Sequence, residues 1–451
     1  MNVRVVVVLL FVAFAAAAKA AQPKNVILMV GDGLSFAQRM VAETYSRKTG
    51  GGSLAMNTMP NHATTSTHSA SSLVTDSAAA VTAFACGEKT CNGMLGQTPD
   101  GRRLESCAEL AKRSGKRVGI LTSVTINHAT PAGFYAHSSH RSQFYEIGLQ
   151  LTESGFDVFM GGGLAGNADG EKGNVYEIAK ANGYVVVEGR EGFDSISGMK
   201  PGEAKVWWRG GEKTLPYAMD VEEGDASPRL PEMTRRAIEL LGDDGFFLMV
   251  EGGKIDFAGH ANDGAPNLFD TLEFNSAVEV ALEYQKSHPD TLVIVTGDHE
   301  TGGMSLGCSS AGYAFYVERL GLQKCSTEKF KARYHALKDK GATFNEIGSL
   351  IEECYGFKFN SSEDDPMALS ERDVDSLKRH FISGGLADKA RRIMQSKAGV
   401  GWTTCSHTGV PVLTTAIGPG AENFTGLIDN TDIAKTIKSF YWQYATVQSK
   451  D

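Results

Sequence analysis

The strongest constraint on the fold is an alternation of short β-branched runs with longer helical stretches along most of the chain. The short runs predict strands that are buried on both faces of a sheet, and the helical stretches between them allow successive strands to run parallel. We therefore predict an α/β fold, a three-layer sandwich with a largely parallel central sheet and helices on both faces. The predicted strands are residues 26–30, 118–121, 185–187, 246–250, 292–295 and 410–415, and the predicted helices are residues 36–46, 105–113, 231–241 and 269–285.

Residues 307–401 depart from this alternation. They are rich in charge, and their pattern predicts polar helices at residues 329–340 and 371–397. Because the strand pattern resumes at residue 410, we predict a variable, cap-like insertion at about 307–401 within one catalytic domain that covers residues 21–451. The alternative is a separate C-terminal domain, which the late strand disfavours.

The first twenty residues are typical of a secretory signal peptide. Arg4 supplies the positive start, residues 5–17 form an apolar run, and residues 18–20 (AKA) fit the small-x-small cleavage pattern. The run is shorter than the roughly 20 apolar residues that span a bilayer. The end of the chain has no hydrophobic tail of the kind that directs a lipid anchor. We therefore predict a secreted protein, extracellular or periplasmic, without a membrane anchor.

The amino-acid composition and net charge of the chain restrict the kinds of molecule that it could bind. The chain is 42% hydrophobic and 22% charged, as in soluble globular proteins, and its net charge of -9 argues against nucleic acid as a specific partner. In an exported chain, the seven cysteines allow disulfides of undetermined pairing, and the odd number leaves at least one thiol unpaired within a monomer. Their spacings form no CxxC zinc ribbon, which favours a structural role.

Three of the predicted strands lead into a carboxylate. Asp32 follows the strand at 26–30, Glu251 follows the strand at 246–250, and Asp298 comes shortly after the strand at 292–295, with glycines beside each. In open α/β sheets, ligands bind beyond the carboxyl ends of the strands. These three carboxylates are therefore candidate ligands at one edge of the sheet.

Imidazoles accompany these carboxylates. Asp256 and His260 are four residues apart, a spacing that sets both side chains on one side of a helical turn, and His299 follows Asp298 directly. His407 adds a late histidine. Carboxylate and imidazole without thiolate suit zinc in a catalytic site, and an all-oxygen subset suits magnesium. A single such pair is usually a surface feature, but several at strand ends favour a metal site.

Ser77 lies in the first turn of a predicted alanine-rich helix. A helix N-terminus has unpaired N–H groups and a partial positive charge, so it suits a phosphate that approaches or is attached to this serine. The plain alternative is that Ser77 is only a helix cap. Neither a G-x-S-x-G elbow nor a neighbouring histidine base accompanies the serine in the sequence, so a metal would have to activate it.

Taken together, these residues closely resemble the alkaline phosphatase family, from Asn25 to about Tyr441. The motifs that carry the resemblance are residues 30–33 (VGDG), 75–80 (TDSAAA) with Thr82, 128–132 (HATPA), 250–252 (VEG), 255–256 (ID) with 260–261 (HA), 296–299 (TGDH) and 407–409 (HTG). The weakest stretch is the insertion, where members of the family generally vary.

The resemblance implies two zinc ions and one magnesium ion. The first zinc would be held by Asp256, His260 and His407, and the second by Asp32, Asp298 and His299, beside the nucleophile Ser77. Magnesium would be held by Asp32, Thr130 and Glu251. Arg141 falls where the family places the guanidinium that binds phosphate, and its two-pronged donor geometry fits that role.

Two positions that vary within the family hold His128 and Phe257 here, where some bacterial members have Asp and Lys. His128 would contact magnesium through water or recruit zinc to the third site. Phe257 removes a cation that would point at the phosphate. Neither residue is among the implied zinc ligands.

The implied function is hydrolysis of phosphate monoesters to an alcohol and inorganic phosphate through a phosphoserine, in a homodimer. One alternative is another member of the same superfamily, such as a phosphodiesterase, mutase or sulfatase, although residues 77–81 (SAAAV) lack the C/S-x-P-x-R frame of sulfatases. The second alternative is a noncatalytic protein on the same scaffold that binds phosphate or stores metal ions. Ser77 and Arg141 argue against it, because a storage protein needs neither residue.

Overall fold

A computed structural model describes residues 22–448 except 223 and 363. The predicted signal peptide lies outside the described residues. The sixteen strands of the described chain are β1 Asn25–Gly31, β2 Asn61–Ser66, β3 Arg117–Thr125, β4 Val158–Gly162, β5 Ala168–Asp169, β6 Gly173–Asn174, β7 Tyr184–Glu188, β8 Lys205–Arg209, β9 Phe246–Gly252, β10 Thr291–Gly297, β11 Glu300–Thr301, β12 Ser305–Leu306, β13 Val400–Gly401, β14 His407–Thr408, β15 Val412–Ile417 and β16 Gly426–Asp429.

Helices connect and cover these strands. The α-helices of the described chain are α1 Phe36–Lys48, α2 Ser77–Cys86, α3 Cys107–Arg113, α4 Ala129–Ala132, α5 Phe144–Glu153, α6 Val175–Ala181, α7 Gly189–Ser195, α8 Leu230–Leu241, α9 Lys254–His260, α10 Gly264–Ser287, α11 Thr327–Lys338, α12 Phe344–Tyr355, α13 Glu371–Ser383, α14 Leu386–Ala398 and α15 Asn430–Gln448. Short 3-10 helices lie at Ala55–Asn57, Ala218–Asp220, Val317–Leu322 and Ala421–Asn423.

Ten strands form one sheet in the order β16-β2-β15-β10-β1-β9-β3-β4-β8-β7. Every adjacent pair in it is parallel except the two pairs made by β15, which runs against both β10 and β2. All seven residues of the central strand β1 are buried. The predicted largely parallel sheet is therefore confirmed.

The sheet has an apolar core on each face. Val26 and Leu28 of β1 pack with residues of α2, α3 and α15 on one face, whereas Ile27 and Met29 pack with residues of α1, α8 and α10 on the other. Alternate residues of one strand thus enter opposite cores, as a strand covered on both sides requires. The predicted three-layer arrangement is confirmed.

Four strands of the sheet, β2, β4, β8 and β16, were not predicted from the sequence. β2 reads NHATTS and β4 reads VFMGG, so one is polar and the other ends in two glycines. β8 and β16 are also short, with five and four residues. Such segments carry little β-branched signal of their own, and their pairing depends on neighbours that the local sequence does not reveal.

Helices α11 to α14 lie within the predicted insertion. The two-residue strands β12 and β13 pair antiparallel at its base, so the chain enters and leaves this region at one place. The single helix predicted over residues 371–397 is wrong. It is divided into α13 and α14 at Gly384 and Gly385, whose φ angles of 94° and 82° do not fit an α-helix. The boundaries of the insertion stay a prediction.

No helix among the described residues is long and apolar enough to cross a membrane. All seven cysteines are described, and each is a thiol. Disulfides and secretion therefore stay predictions from the sequence.

Candidate metal and phosphate site

Three neighbouring strands bring the predicted carboxylates together. The register pairs Gly31, at the end of β1, with Gly252 of β9 and with Gly297 of β10. Asp32, Glu251 and Asp298 therefore lie at one edge of the sheet, and each side chain is fully buried. Such a concentration of buried carboxylates is costly unless cations compensate it.

We call Asp256, His260 and His407 cluster A; their ligand atoms lie within 4.8 Å of one another. His260 Nδ1 lies 2.7 Å from the carbonyl oxygen of Cys405, and His407 Nδ1 lies 2.9 Å from that of Thr75. A carbonyl only accepts, so both Nδ1 atoms are donors, and in the neutral imidazoles, the form that binds a metal, each Nε2 carries the lone pair. These Nε2 atoms are 3.1 Å apart. Two facing lone pairs beside a carboxylate suit a metal ion.

We call Asp32, Asp298 and His299 cluster B, which is fully buried. Thr301 Oγ1 donates to Asp256 over 2.5 Å, so the same hydroxyl accepts from His299 Nδ1, 3.2 Å away. This relay leaves the lone pair of His299 on Nε2, 3.0 Å from Asp298 and 3.5 Å from Asp32. Thr301 thus joins clusters A and B.

We call Asp32, His128 and Glu251 cluster C, which shares Asp32 with cluster B. Thr130 belongs beside it, because its hydroxyl donates to Asp32 over 3.4 Å, and Thr122 donates to Glu251. Asp32 Oδ1 and Glu251 Oε1 are buried, and no described residue donates a hydrogen bond to either. Oxygen atoms of this kind fit the preference of magnesium for carboxylate and hydroxyl ligands.

The pKa values of Asp32 and Glu251 indicate the same need for cations, whereas, despite burial, the adjacent histidines lower the pKa values of Asp256 and Asp298. Burial, together with the charges of Asp298 and Asp256, raises the pKa of Asp32 well above its ordinary value. Burial also raises the pKa of Glu251 to about 8. Burial, aided by Arg141, lowers the pKa of His128 to about 4, which leaves that imidazole neutral. Divalent cations would restore the charged form of both carboxylates.

Ser77 lies against cluster B, with its Oγ 3.2 Å from His299 Nε2. It is the first residue of α2, and the N-cap of that helix is Asp76, whose side chain accepts from the N–H of Ala79 over 2.9 Å. The interpretation of Ser77 as a helix cap is therefore wrong. Its hydroxyl lies against cluster B, at the positive end of the helix dipole.

Arg141 lies near the same helix terminus. One guanidinium nitrogen donates to Asp76 over 3.2 Å, and the other donates to His128 Nε2 over 3.2 Å. Its side chain is one quarter exposed. The guanidinium thus lies between the helix that begins with Ser77 and cluster C.

Two residues of this site escaped the sequence analysis. Asp76 both caps α2 and holds Arg141, and Thr301 positions His299 and Asp256. Asp76 belongs to the motif at residues 75–80 (TDSAAA), and its position directly before Ser77 could have indicated that it caps the helix. Nothing in the local sequence of Thr301 indicates a contact with Asp256, since 45 residues separate the two.

A largely parallel α/β sheet with three carboxylate and imidazole clusters beside a serine is the arrangement expected of a metal-dependent α/β enzyme. The alkaline phosphatase family model matches residues 23–442. Alkaline phosphatase 3 of Bacillus subtilis strain 168 is 32% identical over 429 residues, which cover 92% of this chain and 88% of that protein.

Solved structures of alkaline phosphatases are also similar to this chain. The cold-active alkaline phosphatase of the psychrophile Shewanella sp. has a TM-score of 0.81 and 30% identity to this chain, covering 92% of this chain and 99% of its own. The alkaline phosphatase of the Antarctic bacterium TAB5 has a TM-score of 0.67 and 28% identity, covering 94% and 99%. Two mutants of the TAB5 protein, in which glutamate or aspartate replaces a histidine, have magnesium bound in a site named M3.

The chain belongs to the alkaline phosphatase family, as the resemblance indicated. It is a phosphomonoesterase, and the family implies divalent metal ions as cofactors.

Proposed function

We propose that the enzyme hydrolyses phosphate monoesters through a phosphoserine on Ser77, with zinc in clusters A and B and magnesium in cluster C. The observation that most directly supports this proposal is the 3.2 Å contact between Ser77 Oγ and His299 Nε2. It puts the hydroxyl beside a cluster of side chains that can bind a metal ion. Clusters A and B combine carboxylate with imidazole, as zinc prefers. Cluster C with Thr130 offers mainly oxygen, as magnesium prefers.

In the proposed reaction, Ser77 Oγ attacks phosphorus, the alcohol leaves, and water then hydrolyses the phosphoserine. Bound zinc supplies positive charge that lowers the pKa of oxygen nucleophiles and neutralises the phosphate. Arg141 donates to the phosphate oxygens with its two-pronged guanidinium, and Asp76 orients it. The start of α2 adds a partial positive charge at Ser77.

His128 gives cluster C an imidazole, which is a ligand that suits zinc better than magnesium. In the TAB5 protein, magnesium is bound in M3 in mutants that replace a histidine with a carboxylate. By analogy with those mutants, His128→Asp should lower the magnesium concentration that fills cluster C, measured by elemental analysis after dialysis at graded magnesium concentrations. We further propose, from the family resemblance, a secreted homodimer.

Replacing Arg141 by alanine is expected to raise KM and the inhibition constant of inorganic phosphate by about tenfold or more, and to lower kcat less. The guanidinium would bind the ground state and the transition state alike, so its loss weakens binding more than chemistry. Steady-state kinetics with phosphate as inhibitor measure both constants. The matched control is Arg113→Ala, because Arg113 pairs with Glu105 on the surface. Unchanged phosphate inhibition in Arg141→Ala would show that this arginine does not bind the phosphate.

A further inference from the structure

A pocket of about 500 Å³ lies next to cluster A and has no part in the mechanism above. Its wall includes Tyr217, Phe257 and His260, and the carboxylate residue Glu328 of α11 also lines it. His260 belongs to both the pocket and cluster A. The pocket therefore borders cluster A.

Phe257 is a half-exposed aromatic residue of α9, between the cluster A residues Asp256 and His260. Its ring meets the ring of His128 edge to face, with centroids 5.7 Å apart. The ring therefore lies between cluster C on one side and the pocket on the other. A partly exposed phenylalanine at this place offers an apolar surface to whatever enters the pocket.

Both aromatic residues are held by the same cation. Lys254 is 4% exposed, and its Nζ lies 3.7 Å from the centroid of the Tyr217 ring and 5.4 Å from that of Phe257. The residue next to Tyr217 is also fixed, because the N–H of Ala218 donates to the buried carboxylate of Asp270 over 3.2 Å. Cation–π contacts with a buried ammonium are among the stronger ones, so the two rings are preorganised.

We propose that this pocket receives the alcohol portion of the substrate and favours uncharged aromatic alcohols over small hydroxylated ones. The inference rests on the proposed function, because in an in-line displacement the leaving oxygen departs on the side opposite Ser77. Ser77 lies against cluster B, so the leaving group faces cluster A and extends past His260. Glu328 disfavours leaving groups that carry a negative charge.

The test compares kcat/KM for 2-naphthyl phosphate with kcat/KM for glycerol 2-phosphate. The ratio of the two values cancels any effect that Phe257 has on the shared phosphate through His128. In Phe257→Ala the ratio is expected to fall about tenfold, the size of one lost aromatic contact. Phe257→Trp, which keeps an aromatic surface, is expected to keep the ratio within about threefold of wild type. Tyr313→Ala is the control, because this fully exposed tyrosine lies outside the pocket.

A ratio within about threefold of wild type in Phe257→Ala would overturn the proposal, and so would an equal loss on both substrates. Circular dichroism verifies that each variant is folded. If Phe257→Ala does not fold, Phe257→Leu takes its place in the comparison. Wild-type enzyme that hydrolyses neither ester would contradict the proposed function itself, a result distinct from failure of the pocket assignment.

Discussion

Replacing Ser77 by alanine is expected to lower kcat by about three orders of magnitude or more while leaving the fold and the metal content intact. Every proposed metal ligand remains in the variant, and only water is left as a nucleophile. The free energy of unfolding is expected to change by less than about 1 kcal/mol, because Asp76 and not Ser77 caps α2. Steady-state kinetics, denaturant unfolding and elemental analysis measure the three quantities.

The matched control is Ser106→Ala. Ser106 is the N-cap of α3, accepts from the N–H of Glu109 over 3.0 Å and is buried. Its loss is expected to cost about 1–2 kcal/mol of stability and leave kcat unchanged, the reverse of the Ser77 result. If Ser77→Ala instead turned over at the wild-type rate, Ser77 would not be the nucleophile.

Removing metal ions with a chelator is expected to lower activity about 100-fold or more, and to lower Tm by about 5–10 °C. Clusters A, B and C join segments that are far apart in the sequence, from Asp32 to His407. Without cations their buried carboxylates repel one another, and the ordering that the metals impose is lost. Adding zinc and magnesium together is expected to restore both activity and Tm.

Elemental analysis of the restored enzyme is expected to give two zinc ions and one magnesium ion per chain. The Ser77→Ala variant is the control, because it should show the same fall in Tm on chelation although it has little activity to lose. Full activity in protein that elemental analysis shows to be free of metal would contradict the metal assignment.

The sequence predicted which side chains lie together in this site better than it predicted the contacts between them. Asp32, Glu251 and Asp298 were recognisable because each follows a predicted strand, and the sheet brings those strand ends together. The local sequence offers two candidates for the cap of α2, because Asp76 and Ser77 are adjacent and both residue types are good N-caps. Only the backbone conformation decides between them: Asp76 is extended, with ψ of 169°, and Ser77 is already helical.

Contacts between distant segments could not be predicted from the sequence. Thr301 and Asp256 meet across 45 residues, and the two rings held by Lys254 include Tyr217 from a separate segment. Strand β2 and its neighbour, the edge strand β16, were missed because their sequences are polar or short, and their place depends on the strands beside them. The division between α13 and α14 was more accessible, since the pair Gly384 and Gly385 is a common break in a helix.

The most direct test of the central claim is to trap the phosphoserine. Wild-type enzyme is incubated with labelled inorganic phosphate at acid pH, where dephosphorylation slows because hydroxide is scarce, then quenched and digested for mass spectrometry. We expect one covalent phosphate on Ser77, in the peptide that contains residues 75–80, and none in Ser77→Ala. A peptide that stays unmodified in the active enzyme, or that carries phosphate on Thr75, would contradict the account.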